Sequence, residues 1–159
     1  MLRYTEFGLS HLEVPGERAL CIYHSGCTNR CENCHCPELQ LPDNGILLRP
    51  NIRNIVDLYR SQASCVCFLG EGSNSDQDRA ELVYCAKYAR STGLKTCLYS
   101  GRDTEIEAWM DVFDYIKLGS YREEFGPLSL PMTNQRMYQR ADVGDVGYID
   151  ITAQFWHSG

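Results

Sequence analysis

Cys27-Thr28-Asn29-Arg30-Cys31-Glu32-Asn33-Cys34, followed at once by His35-Cys36-Pro37, is the stretch from which the rest of the chain is read. Three thiols fall within eight residues, three residues separating the first pair and two the second. A loop of that length wraps three sulfurs around one inorganic centre and leaves one metal corner open for chemistry. The residues before it, Arg18-Ala-Leu-Cys-Ile-Tyr-His24, are mostly apolar and read as a buried strand that Ser25-Gly26 breaks. The cysteine loop therefore leaves the C-terminal end of a strand, where parallel α/β folds place their ligands. It runs on through Pro37, Pro42 and Asp43-Asn44-Gly45, a length usual for functional loops.

Downstream the chain alternates. Pro50 and a capping Asn51 introduce a helix whose apolar face is Ile52, Ile55, Val56 and Tyr59. Ser64–Leu69 is a short buried strand stopped by Gly70-Glu71-Gly72. Ser75 or Asp76 caps a second helix through about Ser91, with Leu82, Cys85, Ala86 and Ala89 inward and Gly93 closing it. Leu94–Tyr99 is a third strand, Asp103 caps a short helix carrying Ile106, Trp109 and Met110, and Tyr115–Leu118 is a fourth strand. The order β-α-β-α-β-α-β implies a parallel sheet with crossovers. Four strands are too few to close a barrel, so the expectation is α/β: an open partial (β/α) barrel, mostly parallel. Residues 119–159 form a C-terminal extension, irregular around Gly126-Pro127 and Leu130-Pro131, then a hairpin over 137–156.

The chain of 159 residues reads as one domain, with the cysteine loop at about 25–45. Hydrophobic residues make up 43% and charged residues 23%, a balance that fits a globular protein, and no apolar run nears the ~20 residues of a membrane span. The first residues lack the segments of a secretory signal, so a cytoplasmic location is expected, with no membrane role. A net charge of −6 argues against direct nucleic-acid binding. Nine cysteines, an odd number, favour metal binding or catalysis over disulfides in such a chain. Two readings of the triplet stay open at this point. One is an open-cornered cluster; the other is tetrahedral zinc with His35 or Cys36 as fourth ligand, in a non-catalytic binding module.

The Cys-x3-Cys-x2-Cys triplet after a buried strand resembles the radical S-adenosylmethionine superfamily. The resemblance implies one 4Fe–4S cluster on Cys27, Cys31 and Cys34, with S-adenosylmethionine on the fourth iron. In that superfamily the reduced cluster breaks the sulfur–C5′ bond, yielding methionine and a 5′-deoxyadenosyl radical, and no catalytic side chain beyond cluster and cosubstrate is implied. Further matches point to one family. Pro15-Gly16-x-Arg18, Ser25-Gly26-Cys27, Cys34-His35-x-Pro37-Glu38, Leu98-Tyr99-Ser100-Gly101, Leu128-Ser129-Leu130 and Asn134-Gln135-Arg136 resemble activating proteins of anaerobic ribonucleotide reductase. Those matches run through nearly the whole chain in the family's order.

By that resemblance Asn33, Cys34 and His35 lie beside the cosubstrate, Gly70 approaches its methionine end, and Glu71 accepts from its amino group. Leu69 and Gly72 stand where the family's Gly-Gly-Glu/Asp-Pro motif has its first glycine and its proline. The implied partners are the glycyl-radical subunit of the reductase and an electron donor such as flavodoxin or ferredoxin. Another protein target is the alternative. Phe155–Gly159 shows no glycyl-radical domain, so the radical acceptor is expected on another polypeptide. Ser100 and Lys117, at strand ends, are candidates to meet ribose or carboxylate, against a capping serine and an exposed lysine. Cys36 reads as a neighbouring loop thiol, and His24 as a partly buried structural histidine. Cys21, Cys65, Cys67, Cys85 and Cys97 read as small core residues.

Overall fold

The apolar run after Arg18 forms a strand, β2 (Ala19–His24), in which five of six residues are buried. In the computed structural model, residues 2–24, 45–72, 75–120, 122–141 and 147–156 are described. β2 pairs in parallel with β4 (Cys65–Leu69), β4 with β5 (Lys95–Tyr99), and β5 with β6 (Tyr115–Leu118). Between them run α1 (Ile52–Tyr59), α2 (Asp76–Ser91) and a 3₁₀ segment, Ala108–Val112.

Antiparallel strands then extend the sheet on both sides. β1 (Arg3–Ser10) pairs with β2 and with β3 (Ile46–Leu47), while β7 (Arg136–Arg140) pairs with β6 and with β8 (Tyr148–Asp150). The order is β3-β1-β2-β4-β5-β6-β7-β8. The expected open partial (β/α) barrel of mostly parallel strands is therefore not what the chain forms. The described residues form an eight-stranded mixed sheet with two α-helices, in which four of the seven pairings are antiparallel.

The cause of the difference sits in β1. Its pairing with β2 shifts register between Tyr4 and Glu6, which inverts the parity of the strand. Tyr4 reaches the helix-side core from an even position, Phe7 and Leu9 from odd ones. That bulge erases the alternation by which a half-buried strand is recognised. At the other side Tyr148 donates to the Phe113 carbonyl at 2.7 Å and Arg140 to the same oxygen at 3.0 Å, tying β7 and β8 to the crossover. The third crossover is shorter than the expected helix, and Asp103 does not cap it. Glu107 occupies that N-cap, while Asp103 accepts from the Ser120 amide at 2.9 Å.

The helical caps divide. Ser75 accepts from the Asp78 amide at 3.2 Å and caps α2. Asn51 holds the N-cap position of α1 without a side-chain cap, because its Nδ2 donates instead to the Leu47 carbonyl at 2.8 Å. Gly93, at φ +89°, follows the end of α2.

Both faces of the parallel strands are buried. On the helix side Leu20, Ile22, Val66, Phe68, Leu98 and Ile116 pack with Ile52, Val56, Leu82, Cys85, Ala86 and Ala89. Phe68 and Phe113 meet edge to face at 6.0 Å, and Trp109 meets Phe113 at 6.3 Å. On the second face Cys21, Cys67, Cys97 and Tyr115 stand in one lateral row across four strands, with Cys65 one row below. Val14, Met137, Ile151 and Phe155 pack against that row. Among the described residues no helix is long and apolar enough to cross a membrane.

Phe68→Ala, which empties the point where the aromatic cluster meets the sheet, is expected to cost roughly 3–5 kcal/mol in urea unfolding. A loss below about 1 kcal/mol would mean that the crossover does not pack as described.

Candidate functional site

The four parallel strands end side by side at His24, Leu69, Tyr99 and Leu118, and at or just beyond those ends His24, Glu71, Ser100 and Lys117 are buried polar residues. The backbone ladder continues past the strands. The Gly70 amide donates to the Tyr99 carbonyl at 2.9 Å, and the Ser100 amide to the Lys117 carbonyl at 2.8 Å. Gly70 has φ +104°, a conformation that glycine adopts freely. A Cβ there would sit 3.7 Å from His24, ordinary contact distance, so the backbone angle and not crowding calls for glycine. Gly72 has φ +62°, which a proline ring forbids. The chain beyond Glu71 thus takes a path that the proline of the resembled motif could not follow.

Glu71 is the charge at the centre. Its side chain is 5% exposed. The Ser100 hydroxyl and Arg102 Nε, at 3.2 Å, donate to Oε1, and Arg102 Nη2 donates to Oε2 at 2.8 Å. Arg102 also holds Glu107, which accepts in addition from Trp109 Nε1 at 2.9 Å and lies 3.8 Å from Arg79. Partial burial works against the Arg102 cation, but its bonds to Glu107 and Glu71 outweigh this and raise its pKa above the ordinary value. The Arg102 bonds hold the Glu107 carboxyl down at about 2.

The two strand-end candidates are both buried. Ser100 is fully buried and spends its hydroxyl on Glu71. Lys117 is 8% exposed, not a surface lysine; its ammonium donates to the Gly119 carbonyl at 2.8 Å and lies 5.7 Å from the Tyr99 ring centroid. His24 is fully buried, with Nδ1 2.8 Å from the Gly70 carbonyl. That oxygen only accepts, so Nδ1 carries the proton. Burial pushes the imidazole down to about 4, so the ring is neutral near pH 7. Its Nε2 has no partner among the described residues.

Arg102 is the residue that the sequence reading missed. The sequence held only half of the signal: a buried acid needs a cation, and Tyr99-Ser100-Gly101-Arg102 puts one three residues beyond a strand end, but nothing in the chain says that this end lies beside Glu71.

Cys27, Cys31, Asn33, Cys34 and His35, and with them Cys36, lie outside the described residues. The other five cysteines are free and buried. Cys21 is raised chiefly by a hydrogen bond with Cys67, and burial is the largest cause for Cys65, Cys67, Cys85 (to about 12) and Cys97 (to about 11). These five are held as thiols, whereas a metal takes thiolates. Of the nine cysteines, this leaves the four of the loop as candidate ligands. Among the described residues no group of three or more His, Cys, Asp or Glu side chains is arranged to hold a metal ion.

Comparison with protein-family models, with curated proteins and with solved structures gave no match.

Two outcomes test this layer. The unfolded chain takes a proton on His24 near pH 6.5 that the folded protein resists down to about 4. Stability is therefore present above pH 6.5 and declines as pH falls through that window, by on the order of 3 kcal/mol. His24→Gln, which can still donate to Gly70, is expected to flatten the urea midpoint over that window, and an unchanged slope would assign it to other groups. Removing one partner of a buried pair costs about 3–5 kcal/mol, and since Arg102 keeps Glu107, Glu71→Ala is expected to cost about 2–3 kcal/mol. A loss no larger than that of an exposed pair, about 0.5 kcal/mol, would contradict the buried network.

Proposed function

We propose that the chain is a radical S-adenosylmethionine activating enzyme that generates a glycyl radical on a partner anaerobic ribonucleotide reductase. The observation that carries this reading is that Cys27-x3-Cys31-x2-Cys34 begins three residues along the chain from His24, the last residue of β2, a strand whose neighbour β4 leads into Gly70 and Glu71. The reading rests on that placement and on the motif, not on a barrel, which this sheet does not form. Cys27, Cys31 and Cys34 would hold a 4Fe–4S cluster, and Asn33, His35, Gly70 and Glu71 would lie around S-adenosylmethionine. When bound, the cluster and cosubstrate supply one-electron cleavage of the sulfonium and removal of a hydrogen atom from a glycine Cα.

The donor set fits that role in two respects. The described cysteines are held as thiols, so the loop is where thiolates are available. A carboxylate offers about four acceptor positions, and Glu71 uses three within the chain. One remains for an N–H donor of the cosubstrate. The Arg102 cation and the Ser100 hydroxyl keep that carboxylate in place. The neutral His24 ties the end of β2, where the loop begins, to Gly70. A flavodoxin- or ferredoxin-like carrier would deliver the electron.

Anaerobic reconstitution with iron and sulfide, followed by reduction and addition of S-adenosylmethionine, tests the proposal. About four irons per chain and release of 5′-deoxyadenosine are expected. Cys31→Ala should abolish cleavage, and Cys65→Ala, a change within the second-face thiols, should retain most of it. A colourless protein with one tight zinc and no cleavage would sink the proposal, and equal loss in the two variants would overturn the assignment of the loop thiols as ligands. Adding the reductase and finding no glycyl radical, with cleavage intact, would point to another protein target.

A further inference from the structure

The crossover between β5 and β6 has a groove where it meets α2 and a pinned turn beside its start. The groove, of about 470 Å³, is lined by Val83, Lys87, Arg90, Trp109, Asp111 and Val112. Its floor is apolar, and its indole is fixed in advance. Trp109 Nε1 donates to Glu107 at 2.9 Å, and the Arg79 guanidinium lies 5.4 Å from the ring centroid. Its wall is basic. Lys87 and Arg90, both exposed, share one side of α2, and neither meets a carboxylate among the described residues. Arg90 donates to the Val112 carbonyl at 3.3 Å. The groove's own acid, Asp111, is paired with Arg140 at 3.2 Å, so the charge left over is positive.

The turn spans Arg122 to Gly126. The Phe125 and Gly126 amides both donate to the Arg122 carbonyl at 3.0 Å, which puts Glu123 and Glu124 at the tip and Phe125 beside them. Glu124 is exposed, and so is Phe125, at 39%. Gly126 is buried; a Cβ there would stand 2.7 Å from Leu130, so the turn closes on that side chain. Arg122 pairs with Asp103 at 3.3 Å, and Asp103 accepts from the Ser120 amide at 2.9 Å, tying the turn to the start of the crossover. An acidic tip with a phenyl ring is thus held outward with little left to order.

Groove and turn match in charge and in chemistry: a basic hollow floored by an indole, and an acidic tip bearing a ring. They stand at the two ends of one crossover, so a second copy lying antiparallel along it brings both matches together at once. We propose that this crossover is a self-association surface, on which the turn of each copy seats in the groove of the other. Phe125 covers Trp109 and Val83, Glu124 faces Lys87 and Arg90, and a two-fold axis closes the pair. Aromatic anchors supply most of the affinity of such a contact, and the charges around them fix its orientation. No residue of either feature is assigned above to the cluster or the cosubstrate, so the proposal does not rest on that reading.

The test is sedimentation equilibrium of the full chain, kept reduced so that the loop thiols form no bridge between copies. The wild type is expected to pass from monomer to dimer with a dissociation constant on the order of 10 µM. Lys87→Glu and Glu124→Lys each set like charges against one another in both contacts. Either change alone should raise the dissociation constant by about a hundredfold, roughly tenfold for each contact. Mixed in equal amounts, the two variants present opposite charges in both contacts and should recover a dimer close to the wild type in strength. Arg60→Glu, an equal change of charge at an exposed site beside α1, should match the wild type.

A wild type that stays monomeric at millimolar concentration would overturn the proposal, and binding of a Glu-Glu-Phe peptide by that monomer would assign the groove to another protein's acidic segment. A dimer that withstands both charge reversals would also overturn it, as would a mixture no tighter than its two components. Growth into assemblies larger than a dimer would rule out the two-fold pairing. Should either reversal fail to fold, as judged by its urea midpoint, Phe125→Ala carries the test. Losing that ring is expected to raise the dissociation constant by about tenfold or more, and an unchanged constant would overturn the proposal.

Discussion

Cys65, Val66, Cys67 and Phe68 are all shut off from solvent, and a strand buries consecutive residues only where both faces of its sheet are covered. Much of the architecture follows from that requirement. The crossovers supply one cover, with α1, α2 and the aromatic group around Phe113 packed on Val66 and Phe68. The other cover is thinner. It comes from Val14, Met137, Ile151 and Phe155, and so depends on segments that precede β2 and follow β6. Small side chains suit a thin layer, which accounts for Ala19, Cys21, Cys65, Cys67 and Cys97 on that face. Their thiols are kept protonated by burial and by one another, and this separates them chemically from the thiols of the loop.

The same two-sided burial sets the terms for the strand ends. Polar groups there have lost most of their water, so each needs a partner from a neighbouring strand or crossover. His24 turns to Gly70, Ser100 to Glu71, Lys117 to Gly119, and Arg102 spans Glu71 and Glu107. These links join the end of β2 and the segments after β4, β5 and β6 into one layer. A buried ion pair of this kind adds little net stability over apolar packing, because desolvation offsets most of the attraction. Its effect is geometric: a carboxylate with three of about four acceptor positions filled has one direction left for a ligand.

Much of this molecule was legible in its residues. The four parallel strands fall within one residue of where their apolar runs place them, and α2 starts at its Ser75 cap. Those elements declare themselves because burial on both faces leaves a continuous apolar run, and a helix leaves its own period. β1 hid behind its bulge, and β3 has only two residues, too short for any pattern. Asn51 shows how local chemistry is outvoted. Its type and position suit a cap, yet the Leu47 carbonyl takes its amide.

By itself, the sequence determined the chemistry on offer: three thiols spaced for one centre, an acid and a glycine after the second buried strand, and strands that must lie side by side. Tertiary structure decided how many strands joined the sheet and which cation met Glu71. Pairing at a sheet edge depends on backbone groups that every residue carries, so β1 and β3 had no strong signature, and the hairpin over 137–156, which forms β7 and β8, carried no sign that it would join the parallel strands in a mixed sheet. The choice between Lys117 and Arg102 as the partner of Glu71 is a matter of reach across neighbouring strand ends. Residues 71 and 102 meet only because β4 and β5 are neighbours, and spacing along the chain carries no trace of that.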